Sequence, residues 1–106
     1  MLDLTGKVAL IAGAGSVAEG WGNGRATAVL MARQGAKVYG TDYSAEALAG
    51  TSAIMEREGH EHWTARKTDM TSSEQVKAAV DDYITRINRL DILVNNVGGS
   101  APGDPV

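Results

Sequence analysis

The chain has 106 residues, of which 43% are hydrophobic and 22% charged, a composition that suits one globular domain with a modest core. The net charge of -3 gives no basis for binding nucleic acid or an anionic membrane surface. Cysteine is absent, which excludes disulfides and thiolate metal sites and favours a reducing, cytoplasmic location. The sequence contains neither a signal-peptide pattern nor an apolar run of about 20 residues, so we expect no membrane span.

Four short apolar segments alternate with three segments of helical periodicity along the chain. The predicted strands cover residues 7–12, 36–41 (ending at Asp42), 62–68 and 91–94. The predicted helices cover residues 25–34 (stopped by Gly35), Ala45–Glu58 (capped by Ser44 and stopped by Gly59) and a third segment that follows a capping box at residues 71–74. Strands alternating with helices predict an α/β fold, in which a parallel sheet carries helices on its faces.

Glycines dominate the connection between the first predicted strand and the first predicted helix. A phosphate-binding turn needs glycine for a tight bend, for close approach of the main chain to a pyrophosphate, and for close packing of helix on strand. Gly13, Gly22 and Gly24 can supply these roles, and the helix start beside Asn23 offers unpaired N–H groups to an anion. The context predicts a dinucleotide-binding turn, and the alternative is a generic glycine-rich loop.

Acidic residues follow the second and third predicted strands. Asp42 lies 18 residues beyond Gly24, the position of a carboxylate that accepts hydrogen bonds from the adenine ribose hydroxyls. A negative charge there repels a 2′-phosphate, so NAD is favoured over NADP. Asp69 can accept a hydrogen bond from the adenine amino group. Each aspartate can also be read as a turn residue before a helix.

Two asparagines and a glycine follow the fourth predicted strand, in the run Asn95, Asn96, Val97 and Gly98. Side-chain amides can bridge neighbouring strand ends, and a glycine lets the backbone pass close to a ligand. Because ligands of open α/β sheets bind at the carboxyl ends of the strands, this run is a candidate site.

Taken in order, these segments resemble the short-chain dehydrogenase/reductase family. The family pattern is Thr-Gly-x-x-x-Gly-x-Gly, an acidic residue after strand two, Asp after strand three, and Asn-Asn-Ala-Gly after strand four. The resemblance covers essentially the whole chain. It implies a Rossmann-type, doubly wound parallel sheet of strand order 3-2-1-4, truncated after the fourth strand, in one partial cofactor-binding domain over residues 1–106.

The resemblance also implies a function, namely the NAD(H)-binding portion of an oxidoreductase. The complete enzyme would transfer hydride between the nicotinamide and an alcohol or carbonyl substrate. The implied cofactor contacts are the phosphate turn at Gly13, Gly22, Asn23 and Gly24, the ribose contact at Asp42, the adenine contact at Asp69, a sheet brace at Asn95, and the nicotinamide-side ribose contacts at Val97 and Gly98.

The chain departs from the family pattern at three places and lacks one further element. Ala12 replaces threonine, Val97 replaces alanine, and eight residues separate Gly13 from Gly22 where the family has three. The surplus falls at about residues 17–21. None of the three tyrosines has a lysine four residues later, so the family's Tyr-x-x-x-Lys pair is missing, and we assign no catalytic residue.

Two other functions remain compatible with the sequence. One is a non-catalytic dinucleotide-binding or assembly module, and the other is an S-adenosylmethionine-dependent methyltransferase core, against which the Asn-Asn run argues. The apolar fourth strand would form an open edge, which predicts self-association or a complementing chain. His60 and His62 flank Glu61 and would share one face of a strand, but no third ligand lies nearby, so we expect no metal site.

Overall fold

The computed structural model describes residues 3–15 and 22–96. Seven elements alternate along the chain, and the predicted order of strands and helices is confirmed. Their bounds are β1 (Val8–Ala12), α1 (Asn23–Arg33), β2 (Lys37–Asp42), α2 (Ala45–Glu58), β3 (Trp63–Lys67), α3 (Ser73–Arg86) and β4 (Ile92–Asn95). The predicted bounds of α2 are confirmed, whereas the other elements begin or end one or two residues away from their predicted positions.

The four strands form one parallel sheet in the order β3-β2-β1-β4, as the family resemblance implies. β1 lies in the centre, where Ala9 is in register with Val38 of β2 and with Ile92 of β4. This arrangement brings the ends of β1, β2 and β4 to the same edge, together with the polar residues that follow them.

The helices divide between the two faces of the sheet because right-handed crossovers run in opposite directions from β1. The larger core lies between the sheet and α1 and α2, and it contains Ile11, Val29, Val38, Leu48 and Met55 among others. A smaller cluster of Val8, Tyr39 and Tyr83 lies under α3. Among the described helices, none has the length and apolar character needed to cross a membrane.

Local cap signals predict both ends of α2 correctly, but they misplace the start of α3. The Ser44 hydroxyl accepts a hydrogen bond from the Ala47 amide, and Gly59 ends α2 in the left-handed conformation at φ +79°. The prediction that Thr71 caps α3 is wrong, because Ser72 occupies the N-cap position. The amide and hydroxyl of Thr71 instead donate to the carboxylate of Asp69, and this turn delays the helix start by one residue.

A buried tyrosine joins the sheet to α3. The Tyr39 side chain is fully buried, meets the Tyr83 ring edge-on at 5.3 Å, and donates its hydroxyl to Asp82 Oδ2 at 2.6 Å. Arg86 holds the same carboxylate at 2.9 Å. Burial, together with the hydrogen bond to Asp82, raises the pKa of Tyr39 to about 12.

Replacement Tyr39→Phe removes this hydrogen bond, and we expect it to lower the free energy of unfolding by about 1–2 kcal/mol in chemical denaturation. Because the pKa of Tyr39 is raised above its unfolded value of 10.0, its contribution is complete below that pH and is lost as the pH rises toward about 12. Wild-type stability should therefore fall more steeply over this pH range than that of the variant. The control is Tyr43→Phe, at a side chain that is 69% exposed, and an equal loss in both variants would contradict the prediction.

Candidate functional site

The polar residues singled out in the sequence converge on the carboxyl edge of the sheet beside β1. The chain leaves β1 toward β2 on one side, while β4 pairs on the other, so the strand order reverses at β1. In open α/β sheets this reversal leaves a crevice outside the carboxyl ends of the strands, and ligands bind there. The glycine-rich turn that follows β1 lies at this point.

The first part of the turn is fastened to β2. Gly13 adopts φ +87°, a left-handed conformation that glycine tolerates without strain. The amides of Gly13 and Ala14 both donate to the carbonyl of Thr41, at 2.8 and 2.9 Å. The bend after β1 is therefore held by the neighbouring strand, which agrees with the tight-turn role predicted for Gly13.

Gly24 allows α1 to pass very close to the end of β1. A Cβ atom on Gly24 would lie 1.5 Å from the Gly13 carbonyl oxygen and 3.0 Å from Nδ2 of Asn96. No side chain fits in that space, so the helix reaches its position only because residue 24 is glycine. Close packing of helix on strand is one of the glycine roles expected in a dinucleotide-binding turn.

The N-terminus of α1 directs its first amides into the same region. Gly22 is the N-cap and supplies no side-chain cap, and the first turn of the helix contains no acidic residue. The Ala26 amide donates to the Gly22 carbonyl at 2.9 Å, so the amides of Asn23 and Gly24 precede the helical hydrogen bonds. Such amides, with the helix dipole, attract anions. The surplus at residues 17–21 lies outside the described residues.

Asp42 links the end of β2 to the glycine turn. Its Oδ2 atom accepts a hydrogen bond from the Gly15 amide at 2.9 Å, and its Oδ1 atom accepts one from the Ser44 amide at 3.0 Å. A carboxylate has about four acceptor positions, so it retains capacity for two further hydrogen bonds. The turn role considered for Asp42 is present, and the ribose contact that the resemblance implies stays a prediction.

Asp69 has a defined local role at the end of β3. Its Oδ1 atom accepts hydrogen bonds from the amide and the hydroxyl of Thr71, at 2.9 and 2.6 Å. These two donors lower the pKa of Asp69, so the side chain is a carboxylate at neutral pH. The predicted contact with an adenine amino group stays a prediction.

The asparagines at the end of β4 have different positions. Asn95 is in register with Ala12 of β1, next to the glycine turn. The Asn96 amide donates to the Ala12 carbonyl at 2.8 Å, and its side chain reaches Gly24, a contact that the sequence reasoning missed. Val97 and Gly98, predicted to line a ribose, lie outside the described residues.

A cavity of about 160 Å³ opens between the carboxyl edge and α3. Its walls are mostly apolar and include Leu10, Met70, Val80 and Leu93. The Thr41 hydroxyl is buried there without a hydrogen-bond partner among the described residues. The sheet face under α3 is thus less completely filled than the opposite face.

Three further residues near the turn were missed by the sequence reasoning. Arg25 and Thr51 are buried and hydrogen-bonded to each other, and the Thr51 hydroxyl donates to the carbonyl of Ala14. A Cβ on Gly15 would meet the Cβ of Ala47 at 2.6 Å, so this glycine packs directly on α2. One feature of the sequence could have indicated this buried pair, namely an arginine directly after Gly24 on a helix face that is otherwise apolar.

The two histidines do not form the arrangement that was expected of a strand. Both precede β3, so the condition that they lie on one strand is not met. His60 Nε2 lies 2.9 Å from Glu58 Oε1 instead. Within residues 3–15 and 22–96, no group of three potential ligands is placed to hold a metal ion.

Comparison with known proteins identifies the family. The model of the short chain dehydrogenase family matches residues 7–105. The chain belongs to this family. It is 36% identical over 101 residues to the 7alpha-hydroxysteroid dehydrogenase of Escherichia coli K12, covering 95% of this chain and 37% of that protein. The chain therefore spans little more than a third of the length of this relative.

Solved structures of family members superpose on the chain. The crystal structure of a hydroxysteroid dehydrogenase from Escherichia coli gives a TM-score of 0.81 at 35% identity, covering 94% of this chain and 39% of that one. A short-chain dehydrogenase/reductase from Burkholderia phymatum, crystallised with NAD, gives 0.74 at 34% identity, covering 88% of this chain and 31% of that one. Both agree with the Rossmann-like sheet order described above.

Replacement Gly24→Ala should separate α1 from β1, because the new methyl group meets a backbone carbonyl that has no room to yield. We expect a loss of about 3 kcal/mol in the free energy of unfolding measured with urea. The matched control is Gly59→Ala, because an added Cβ there would have no neighbouring atom within 4 Å. Its only cost is the strain of the left-handed backbone conformation, about 1 kcal/mol. Equal losses in the two variants would show that the close approach at Gly24 is unimportant.

Proposed function

We propose that this chain forms the NAD(H)-binding portion of a short-chain dehydrogenase/reductase, a partial Rossmann domain over residues 1–106. The observation that carries the proposal is the position of Asp42, whose carboxylate lies 2.9 Å from the Gly15 amide of the glycine turn. A carboxylate for the ribose and the first amides of α1 for the pyrophosphate would then lie at the same carboxyl edge of the sheet.

Each part of NAD has a candidate partner at this edge. The amides of Asn23 and Gly24, at the N-terminus of α1, would bind the pyrophosphate. Asp42 would accept hydrogen bonds from the adenine ribose hydroxyls, and Asp69 would accept one from the adenine amino group. Asn95 would brace the sheet below the cofactor, and Val97 and Gly98 would line the nicotinamide-side ribose.

The charge of Asp42 favours NAD over NADP in this proposal. A 2′-phosphate on the adenine ribose would approach the carboxylate directly, and like charges at such distances repel. The residues that follow Asp42 are Tyr43 and Ser44, which carry no positive charge to balance that phosphate. The structure of the Burkholderia phymatum relative was likewise obtained with NAD.

The chemical step would depend on residues outside this chain. In the complete enzyme, hydride would pass between the nicotinamide and the carbon of an alcohol or carbonyl substrate, while a tyrosine exchanges the proton. The 106 residues contain no Tyr-x-x-x-Lys pair. We therefore propose that these residues by themselves bind the cofactor without turning over a substrate.

Two alternatives make different demands on the same site. A non-catalytic dinucleotide-binding or assembly module would bind NAD, and no segment with a Tyr-x-x-x-Lys pair would accompany it. Reading the coding sequence beyond codon 106 for that pair would distinguish this alternative from the proposed function. A methyltransferase core would bind S-adenosylmethionine, a ligand without the pyrophosphate that the glycine turn suits. The family match argues against this second alternative.

Titration calorimetry tests the proposal directly. We expect the chain to bind NAD more tightly than NADP and not to bind S-adenosylmethionine.

Replacement Asp42→Asn removes the negative charge and one acceptor oxygen, which the Gly15 amide uses in the wild-type chain. The loss of this hydrogen bond should lower the affinity for both nucleotides. The ratio of the two affinities cancels this common loss, and it should shift toward NADP by about tenfold or more, since 1.4 kcal/mol corresponds to tenfold.

The control is Glu46→Gln, which removes the same charge from the first turn of α2 without touching the glycine turn. It should leave the affinity ratio unchanged. If the ratio in Asp42→Asn equals that of the wild-type chain, Asp42 does not contact the ribose. If the wild-type chain binds neither nucleotide, the proposed function is wrong.

A second proposal concerns the partner of β4. In the described sheet this strand pairs with β1, its other edge is open, and Leu93 on it is 62% exposed. Val80 and Ile84 of α3 add exposed apolar surface on the same side of the sheet. Exposed apolar surface next to an open strand edge promotes pairing with another chain, so we propose self-association or a complementing segment here.

Replacement Leu93→Lys should reduce self-association, because a charge on an edge strand opposes pairing. We expect light scattering to give a lower average mass for this variant than for the wild-type chain at equal concentration. Leu30→Lys is the matched control, since Leu30 is 55% exposed on α1, on the opposite face, and should keep the wild-type mass. A wild-type chain that is monomeric at every concentration would refute self-association and leave a complementing segment as the proposed partner of this edge.

A further inference from the structure

One peptide group in the glycine turn is held from both ends. The carbonyl of Ala14 and the amide of Gly15 belong to the same planar unit. The carbonyl accepts a hydrogen bond from Thr51 Oγ1 of α2 at 2.9 Å, and the amide donates to Asp42 Oδ2 at 2.9 Å. Rotation of this plane would break both bonds and would turn a carbonyl oxygen toward the Asp42 carboxylate, which repels it.

Arg25 decides where the Thr51 hydroxyl points. A hydroxyl has one proton to donate, and here two carbonyls lie near it, Ala14 at 2.9 Å and Ala47 at 3.5 Å. Arg25 Nε donates to the same oxygen at 3.0 Å and so occupies one of its lone pairs. With that position filled, the proton goes to the nearer oxygen, that of Ala14.

α2 is shaped to receive the guanidinium group. Arg25 Nη2 donates to the Ala47 carbonyl at 3.1 Å, and a Cβ on Gly50 would lie 2.3 Å from Nη2. Arg25 is 8% exposed and Thr51 is fully buried, so water does not replace these bonds. The two donor atoms form a fork that a lysine side chain cannot reproduce.

We propose that Arg25 and Thr51 are positioning residues, which set the orientation of the Asp42 carboxylate through the Ala14–Gly15 peptide. A buried chain of hydrogen bonds then orients the Asp42 carboxylate. It begins at Arg25 on α1, continues through Thr51 on α2 and ends at the glycine turn. The effect on nucleotide affinity rests on the proposed function, whereas the effect on the peptide itself does not.

Replacement Thr51→Val in the full chain removes the hydroxyl and keeps the shape of the side chain. Without its partner, the peptide should open more often, and we expect hydrogen exchange of the Gly15 amide, followed by NMR, to quicken by about tenfold. The Val38 amide, which donates to the His62 carbonyl inside the sheet, is the internal reference for global opening. NAD affinity should fall by about the same factor.

Two variants separate positioning from general loss of structure. Thr51→Ser restores the hydroxyl and should return both the exchange rate and the affinity to near the wild-type values. Ser52→Ala removes a neighbouring hydroxyl of α2 that accepts a hydrogen bond from Trp63 Nε1 at 2.9 Å, and it should leave Gly15 exchange unchanged. The inference is overturned if Gly15 exchange in Thr51→Val follows that of Val38, or if Thr51→Ser is as defective as Thr51→Val.

A double-mutant cycle tests the order of the chain of bonds. Arg25→Lys keeps the positive charge but loses the two-point hydrogen bonding to Thr51 and Ala47, so an effect of this variant reports on geometry. The double variant combines Arg25→Lys with Thr51→Val. If Arg25 acts through Thr51, hydrogen exchange of the Gly15 amide should be no faster in the double variant than in Thr51→Val alone. Additive effects would overturn the relay. A response at Gly15 in a chain that binds no NAD would refute the proposed function and leave the positioning role standing.

Discussion

At Gly24 the backbone of α1 passes so close to the end of β1 that a carbonyl oxygen occupies the space where a Cβ would lie. This approach puts the first amides of α1 directly over the carboxyl edge of the sheet, and it places the Asn96 side chain against the same glycine. The rest of the site is arranged around this contact. Gly13 bends the chain toward it, and α2 packs directly on Gly15 of the same turn.

β2 contributes two hydrogen-bond acceptors to the glycine turn, from two neighbouring residues. The carbonyl of Thr41 holds two amides of the turn, and the carboxylate of Asp42 holds a third. The group proposed to recognise the ribose therefore also maintains the shape of the glycine turn. In the proposed function, cofactor choice and turn geometry would be coupled for this reason, and a substitution at Asp42 would change both at once.

The two faces of the sheet differ in how completely they are covered. α1 and α2 together bury a continuous core, whereas α3 alone leaves a cavity of about 160 Å³ and an exposed Leu93 at the open edge. Family relatives are nearly three times as long as the part that this chain matches. The buried anchor of this less covered face is polar, since the Tyr39 side chain of β2 extends toward α3 and donates its hydroxyl to Asp82.

The sequence by itself determined the element order, the parallel sheet, the family and the ends of α2, because periodicity and caps such as Ser44 and Gly59 are local signals. It misplaced the start of α3, where Thr71 fits two local patterns and bonding to Asp69 prevails. Only the tertiary structure decided that Arg25, Thr51 and Ala14 share a buried network. Those residues lie 26 and 37 positions apart, and their contact depends on how closely α1, α2 and the turn pack together.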